Sequence, residues 1–391
     1  MIQSDYPVTY WADIQIRTAG MKNLENMCYM NSTIQCLSAT VPFARFFTDG
    51  RWKTAVNVMN PMGTKGNLAQ AVAYILRDMW QGELQCLSPV TFRRSLCQYA
   101  PRFSGTEQHD SQEFLNFLLD GLHEDLNRVL DKTQVESTPE REAELERLPT
   151  QIASEQEWQI WRMRNDSLVV DLFHCQCRNR LECLTCHKTS TTYNTFVYLT
   201  LPITSSRGLS KISLYHCLDV FVKEEVMEKS DTWNCPRCKM LCKATKNLSL
   251  SRLPLVLMIH LKWFSSKGHF TDKIESFVDY PLKGLELASY MLPPLLPGVH
   301  ARGHKPAHPL RSLLPFPRYL SLAVFHPHPA APAPSARPAR FVLRALAVST
   351  FLQSSESENG MGAPGRKRAL RLRDETQSAF DTFAVCKYHS S

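Results

Sequence analysis

No stretch of this 391-residue chain carries the ~18–20 consecutive apolar residues that cross a bilayer, so no membrane insertion is expected. The opening stretch, MIQSDYPVTYWADIQ, lacks the basic patch and apolar run of a secretory leader, which predicts a cytoplasmic and/or nuclear setting. No internal repeat is found. Charge of one sign is also missing from most of the chain. The formal net charge is +8, but residues 288–391 hold 13 Lys+Arg against 5 Asp+Glu, leaving 32 of each sign in 1–287. A neutral body gives no reason to expect a specific nucleic-acid partner. The run RKRALRLR (366–373) reads as a solvated basic tail, with a nuclear localisation patch as the alternative.

What is present is the 43% hydrophobic, 21% charged composition of a globular protein, long enough for one large domain or two ordinary ones. CYMNSTIQCL (28–37) predicts a helix with Met30, Ile34 and Leu37 on one face, and LAQAVAYILRDMW (68–80) a second with Leu68, Val72, Ile75 and Met79 aligned. DSQEFLNFLLDGLHEDLNRVL (110–130) predicts a third, capped by Asp110 or Ser111, with Glu113 at the capping-box position. Residues 131–165 are charged and read as an exposed helix or mobile insert, with Trp158 and Trp161 as a packing pair. From 168 onward, TTYNTFVYLTLPI and LPLVLMIHLKWF read as strands. Helices first and strands second make an α+β order. Beyond 290 the texture breaks: 13 of the 24 prolines lie in 288–391, and this Pro-rich basic tail is expected to be disordered.

The 13 cysteines should stay reduced in such a setting, so CxxC spacing points to metal or redox chemistry. Cys183-Leu184-Thr185-Cys186 and Cys235-Pro236-Arg237-Cys238 are two such knuckles, 48 residues apart. Two pairs, each followed by Lys or His-Lys, favour a four-thiolate zinc site over a redox dithiol. With every coordination position filled, that site is structural. Cys175, Cys177 and Cys242 lie nearby as competing ligands. Cys28 is a different case. It opens a predicted helix, where unpaired backbone N–H groups favour an anion, and Asn23 could donate to an oxyanion. A buried structural cysteine fits the local pattern equally well.

Four stretches in order carry a resemblance. GMKNLENMCYMNSTIQCL resembles the Cys box of the ubiquitin-specific proteases, the papain-like deubiquitinases. YAPRFSGTEQHDSQEFLNFLLDGLHEDLN is similar to their thumb helix with its Gln-x-Asp-x-x-Glu-Phe core. The paired knuckles resemble their zinc ribbon, and SRLPLVLMIHLKWF their palm strand, with Trp263 where Arg is usual. The resemblance implies a papain-like cysteine protease fold with thumb (about 20–125), charged insert (131–165), and zinc-ribbon fingers and palm (about 168–290). The catalytic domain (20–290) would be incomplete at its C-terminal end, followed by the tail of 291–391. It implies Cys28 as nucleophile, Asn23 as oxyanion donor, and Asp110 as contact for the extended tail of ubiquitin. Structural zinc would sit on Cys183, Cys186, Cys235 and Cys238, and loop SSKGHFTD (265–272) would cover the ubiquitin tail. The implied activity is hydrolysis of the isopeptide or peptide bond after ubiquitin's C-terminal glycine, with ubiquitin and ubiquitinated proteins as partners. The alternative is a catalytically deficient ubiquitin-binding protein.

Three departures bear on that choice. Glu25 and Met27 stand where the family has Gly and Thr, and a Glu forced to positive φ would cost ~1–2 kcal/mol. Its carboxylate would also disfavour a neighbouring thiolate. The family's His box is not found: Gly303-His304 runs into Lys305-Pro306, His308, His326 and His328 sit among prolines, and His260 reads as a structural palm-strand residue.

Overall fold

The three- and four-residue spacing of Leu68, Val72, Ile75 and Met79 produces a helix, Asn67–Trp80, that buries all four side chains. The computed structural model describes residues 19–293 apart from 82–83, 133–134, 136–137, 204–210, 229–230, 263, 268–269, 274–276 and 282–283, with the backbone strands Arg344–Val348 and Val385–Cys386. Side chains of 263–276 lie outside that description. Helices Cys28–Ala39, Val41–Thr48, Asn67–Trp80, Val90–Cys97 and Ser111–Asp125 build the thumb around Phe43, Phe47, Phe103, Phe114 and Leu118. Gly121 lies mid-helix, where it costs ~1 kcal/mol against Ala. A Cβ there would come within 2.5 Å of Leu68, so its absence lets two thumb helices approach closely.

The Ser111–Asp125 helix is capped by Asp110 as expected, through Gln112 N–H donating to its carboxylate at 2.7 Å. Glu113 does not complete a capping box; it pairs instead with Arg102 at 2.6 Å. The helix stops before the predicted 130 because two buried polar residues take over. Asp125, fully buried, accepts from the Thr64 hydroxyl (2.7 Å) and from the N–H groups of Gly66 and Ala69 (both 3.2 Å), tying the end of this helix to the start of Asn67–Trp80. Buried Asn127 accepts from Val129 N–H and Asp166 N–H.

The charged insert is anchored. Helix Thr150–Arg162 packs on the fingers: Tyr193 donates to the Thr150 carbonyl (3.0 Å), Ser154 to Gln176 (2.7 Å), and Arg252 pairs with Glu155. Trp158 and Trp161 stack at 5.2 Å, the expected packing pair, and the Arg252 guanidinium covers the Trp158 ring at 4.7 Å. Residues Leu168–Phe173 form a short helix capped by Ser167 rather than a strand.

Cys175–Cys183 is the centre of the finger sheet, paired antiparallel with Thr189–Phe196 on one side and Ala244–Arg252 on the other, with Glu225–Met227 at the edge. In the palm, Val256–Lys262 runs parallel to Tyr198–Pro202. Its side chains alternate, as strand geometry requires. Val256 and Met258 join the thumb core, while Leu257, Ile259 and Leu261 join a separate palm core with Leu199, Leu201 and Leu218. Helix Leu214–Val222, unanticipated from the sequence, supplies Leu214, Cys217 and Leu218 to that core. Backbone strand Arg344–Val348 pairs parallel with Val256–Ile259, and Val385–Cys386 adds beyond it. Both strands fall in the Pro-rich tail, whose other residues beyond 293 lie outside the described ones. No described helix is long and apolar enough to cross a membrane.

Candidate active site and metal centre

The approach to Cys28 is a pinned turn. Strand Gly20–Met21 pairs with Cys86–Leu87, and Lys22 N–H donates to the Leu87 carbonyl at 2.9 Å. The chain then turns through two consecutive left-handed residues, Glu25 (φ 63°) and Asn26 (φ 48°). Glu25 thus occupies the conformation that the family's glycine suits, as its position implied. Asn26 donates to the Thr106 carbonyl (2.9 Å), fastening this turn to the loop that precedes the Asp110 helix. Met27, at the other altered position, is buried in the thumb core.

Helix Cys28–Ala39 begins directly after this turn, and no side chain caps it. Its first N–H groups therefore remain available beside the half-buried Cys28. Asn23 Oδ1 accepts from Met27 N–H at 2.9 Å. With the oxygen held there, the exposed Nδ2 is the end left to donate outward. Asn31, one turn along the helix, donates to the Lys22 carbonyl at 3.1 Å and braces the same turn. Sequence reasoning passed over Asn26 and Asn31. A signal existed for Asn31: asparagine inside a helix is a poor helix former and asks for a local partner.

Asp110 stands nearby. Tyr29 and His109, each one residue from Cys28 and Asp110, meet edge to face at 5.3 Å, so the two sites sit at adjacent helix starts. Burial pushes Tyr29 up to about 12, against the pull of Arg93, so it stays a neutral phenol. Among the described residues no histidine hydrogen-bonds Cys28. His304, His308, His326 and His328 lie outside the described residues. His260 is half-buried on the palm strand, and burial pulls it below the ordinary histidine range.

At the far end of the fingers the two knuckles close on each other. The sulfurs of Cys183, Cys186, Cys235 and Cys238 all lie within 4.8 Å of one another, and Cys186 and Cys235 are 3.5 Å apart. Four thiolates ~2.3 Å from one zinc ion would sit ~3.8 Å apart, so the donor set needs little contraction to hold a tetrahedral ion. The knuckles are built alike. His187 N–H donates to the Cys183 carbonyl (2.9 Å) and Lys239 N–H to that of Cys235 (2.7 Å). Both turn residues are left-handed, at φ 55° and 56°. The Cys186 N–H helps pull the Cys183 thiol down to about 6. Cys242 packs against the cluster without joining it, and Cys175 and Cys177 lie back along the strand, their thiols pushed up by burial.

The sequence model described as ubiquitin carboxyl-terminal hydrolase matches residues 19–306. Ubiquitin carboxyl-terminal hydrolase 4 of Saccharomyces cerevisiae (strain YJM789) is 37% identical over 268 residues, covering 67% of this chain and 29% of that protein. Ubiquitin carboxyl-terminal hydrolase 2 of Homo sapiens is 36% identical over 273 residues, covering 70% of this chain and 44% of that protein. The chain thus spans less than half the length of these relatives. A solved structure, the SAGA DUB module Ubp8/Sgf11/Sus1/Sgf73 bound to monoubiquitin, superposes with a TM-score of 0.53 at 21% identity, over 71% of this chain and 55% of that one, a likeness of fold. The thumb, palm and fingers expected from the sequence are the architecture observed, and the chain belongs to the ubiquitin-specific protease family of ubiquitin carboxyl-terminal hydrolases.

Proposed function

We propose that this chain binds ubiquitin and hydrolyses the isopeptide or peptide bond after its C-terminal glycine, with Cys28 as nucleophile. The observation that carries the reading is the Cys28 turn, with an uncapped helix start beside the sulfur and Asn23 held by its oxygen. Cys28 Sγ attacks the carbonyl carbon, and Asn23 Nδ2 donates to the oxygen as it gains charge. The C–N bond breaks and the amine departs with the proton given up by the Cys28 thiol, leaving a thioester; water then cleaves its C–S bond, releasing the ubiquitin carboxylic acid and returning the thiol. Asp110 accepts from backbone N–H groups of the extended tail. Cys183, Cys186, Cys235 and Cys238 hold zinc, which supplies a cross-link between two hairpins and takes no part in the reaction. The setting is cytoplasmic and/or nuclear, where these thiols stay reduced.

A second reading is a ubiquitin-binding protein without turnover. It is favoured by one observation: in the sequence His304 runs into Lys305-Pro306, and His308, His326 and His328 sit among prolines, none in the family's His-box pattern. The purified chain and Cys28→Ala are to be mixed with a ubiquitin vinyl probe and with a fluorogenic ubiquitin substrate. Labelling and turnover by the chain alone support the hydrolase. Ubiquitin binding without turnover supports the second reading, and equal labelling of both proteins removes Cys28 from its role.

A further inference from the structure

The palm strand Val256–Lys262 has two faces with different fates. Leu257, Ile259 and Leu261 are sealed in the palm core, whereas Val256 and Met258 pack into the thumb. The alternation puts His260 next on the thumb-facing side. There the two bodies diverge: Met258 is buried, His260 half-buried and Lys262 exposed. The neighbouring strand repeats the change, since Tyr198 packs on the thumb core while Thr200, the register partner of His260, is only partly covered. Tyr198 meets the His260 ring edge-on at 6.1 Å. From the thumb, the Asp110 carboxylate acts on His260 through space, and from its own strand so does Lys262. The His260 Nδ1 is shielded from solvent and has no hydrogen-bond partner among the described residues. With Nδ1 sealed inside the protein, Nε2, which is neither sealed nor hydrogen-bonded among the described residues, is the ring nitrogen left to meet a ligand.

We infer that His260 is a substrate-positioning residue: its imidazole hydrogen-bonds the extended C-terminal segment of ubiquitin from the palm side, opposite Asp110 on the thumb side. With Nδ1 sealed as the unprotonated nitrogen, the Nε2–H presents one donor, which suits a carbonyl of an extended strand. Asp110 offers only acceptors, so the two walls read different backbone groups. His260 does not touch the reacting carbonyl in this role. It deepens the proposed function and rests on it.

The test measures binding of the full chain to intact ubiquitin and to ubiquitin lacking its C-terminal tail, for the wild type, His260→Phe and His260→Gln. Thermal denaturation confirms that each variant is folded. The tail's contribution is the ratio of the two affinities. It is expected to fall about five- to tenfold in His260→Phe, the loss of one hydrogen bond to a neutral group, and to recover to within about threefold in His260→Gln, which keeps a donor. An unchanged ratio in His260→Phe overturns the inference, and so does an equal loss toward both ligands, which marks a structural role. A wild type that binds neither ligand overturns the proposed function instead.

Discussion

Thumb and fingers use cysteine in opposite ways. In the thumb, Cys28 lies at the uncapped start of a helix whose approach is held by Asn23, Asn26 and Asn31. At the fingertips, Cys183, Cys186, Cys235 and Cys238 face one another with little else beneath them; the cluster there comprises cysteines and Trp233. The thumb has a deep apolar core and needs no staple. The fingertip is two short hairpins, too small to bury enough surface to offset the entropy of ordering. The proposed nucleophile therefore sits where packing already fixes the backbone, and the candidate metal ligands sit where packing is too thin to do so.

Metal removal strains that contrast most. A strong chelator, or Cys235→Ser, is expected to release one zinc per chain and to abolish amide protection in 183–188 and 233–242. The loss should be at least ~1000-fold, about 4 kcal/mol of local stability. Thumb amides in Asn67–Trp80 and Ser111–Asp125 should keep their protection. Hydrogen exchange read segment by segment checks this. Uniform loss in both regions would mean that the fingers support the thumb, and the contrast would fail.

Acid tests the thumb side of the comparison. His174, at the junction of thumb, insert and fingers, lies 5.0 Å from Trp161 and 6.0 Å from His123, ring to ring. Burial pulls it down to about 4, and His123 is lowered for the same reason while it bonds Ser167 at 2.8 Å. The unfolded chain takes up a proton on this histidine near 6.5, the folded one only near 4. Stability is therefore expected to fall as pH drops through that window, by up to ~3 kcal/mol from His174. Denaturant midpoints between pH 7 and 4, for the wild type and His174→Phe, provide the check. A wild-type slope no steeper than that of His174→Phe would remove the histidine from the account.

The two cysteine settings were not equally legible in the sequence. The knuckles announce themselves through spacing, because a tetrahedral site built from two tight turns leaves few ways to write the chain. The thumb helices were legible through apolar periodicity, but their ends were not. The motif helix stops at Asp125 because Asn127 bonds Val129 and Asp166, a contact between residues 39 apart. The insert looked solvated because its anchors are single polar contacts, Ser154 to Gln176 and Tyr193 to Thr150, which leave no periodic trace. Helix Leu214–Val222 was lost among strands because its nine residues include two valines, which suit either state. Asn23, Cys28 and Asp110 were placed by resemblance; spacing alone does not bring residues 28 and 110 to adjacent helix starts.

The smallest effect concerns the turn that makes the thumb cysteine special. Glu25 is exposed and left-handed at φ 63°, with its Cβ crowded against its own backbone. Asn26, next to it, tolerates the same region better because its side chain is short and bonds Thr106. Glu25→Gly is expected to relieve ~1 kcal/mol of strain, offset in part by the greater freedom glycine gives the unfolded chain. It should also remove a negative charge three residues from Cys28. A small rise in the denaturant midpoint, with a gain in Cys28 alkylation rate over wild type that is larger at low salt than at high salt, would assign both effects. Alkylation unchanged at every ionic strength would confine Glu25 to the backbone, and the difference between the two cysteine settings would then rest on the helix start and its asparagines alone.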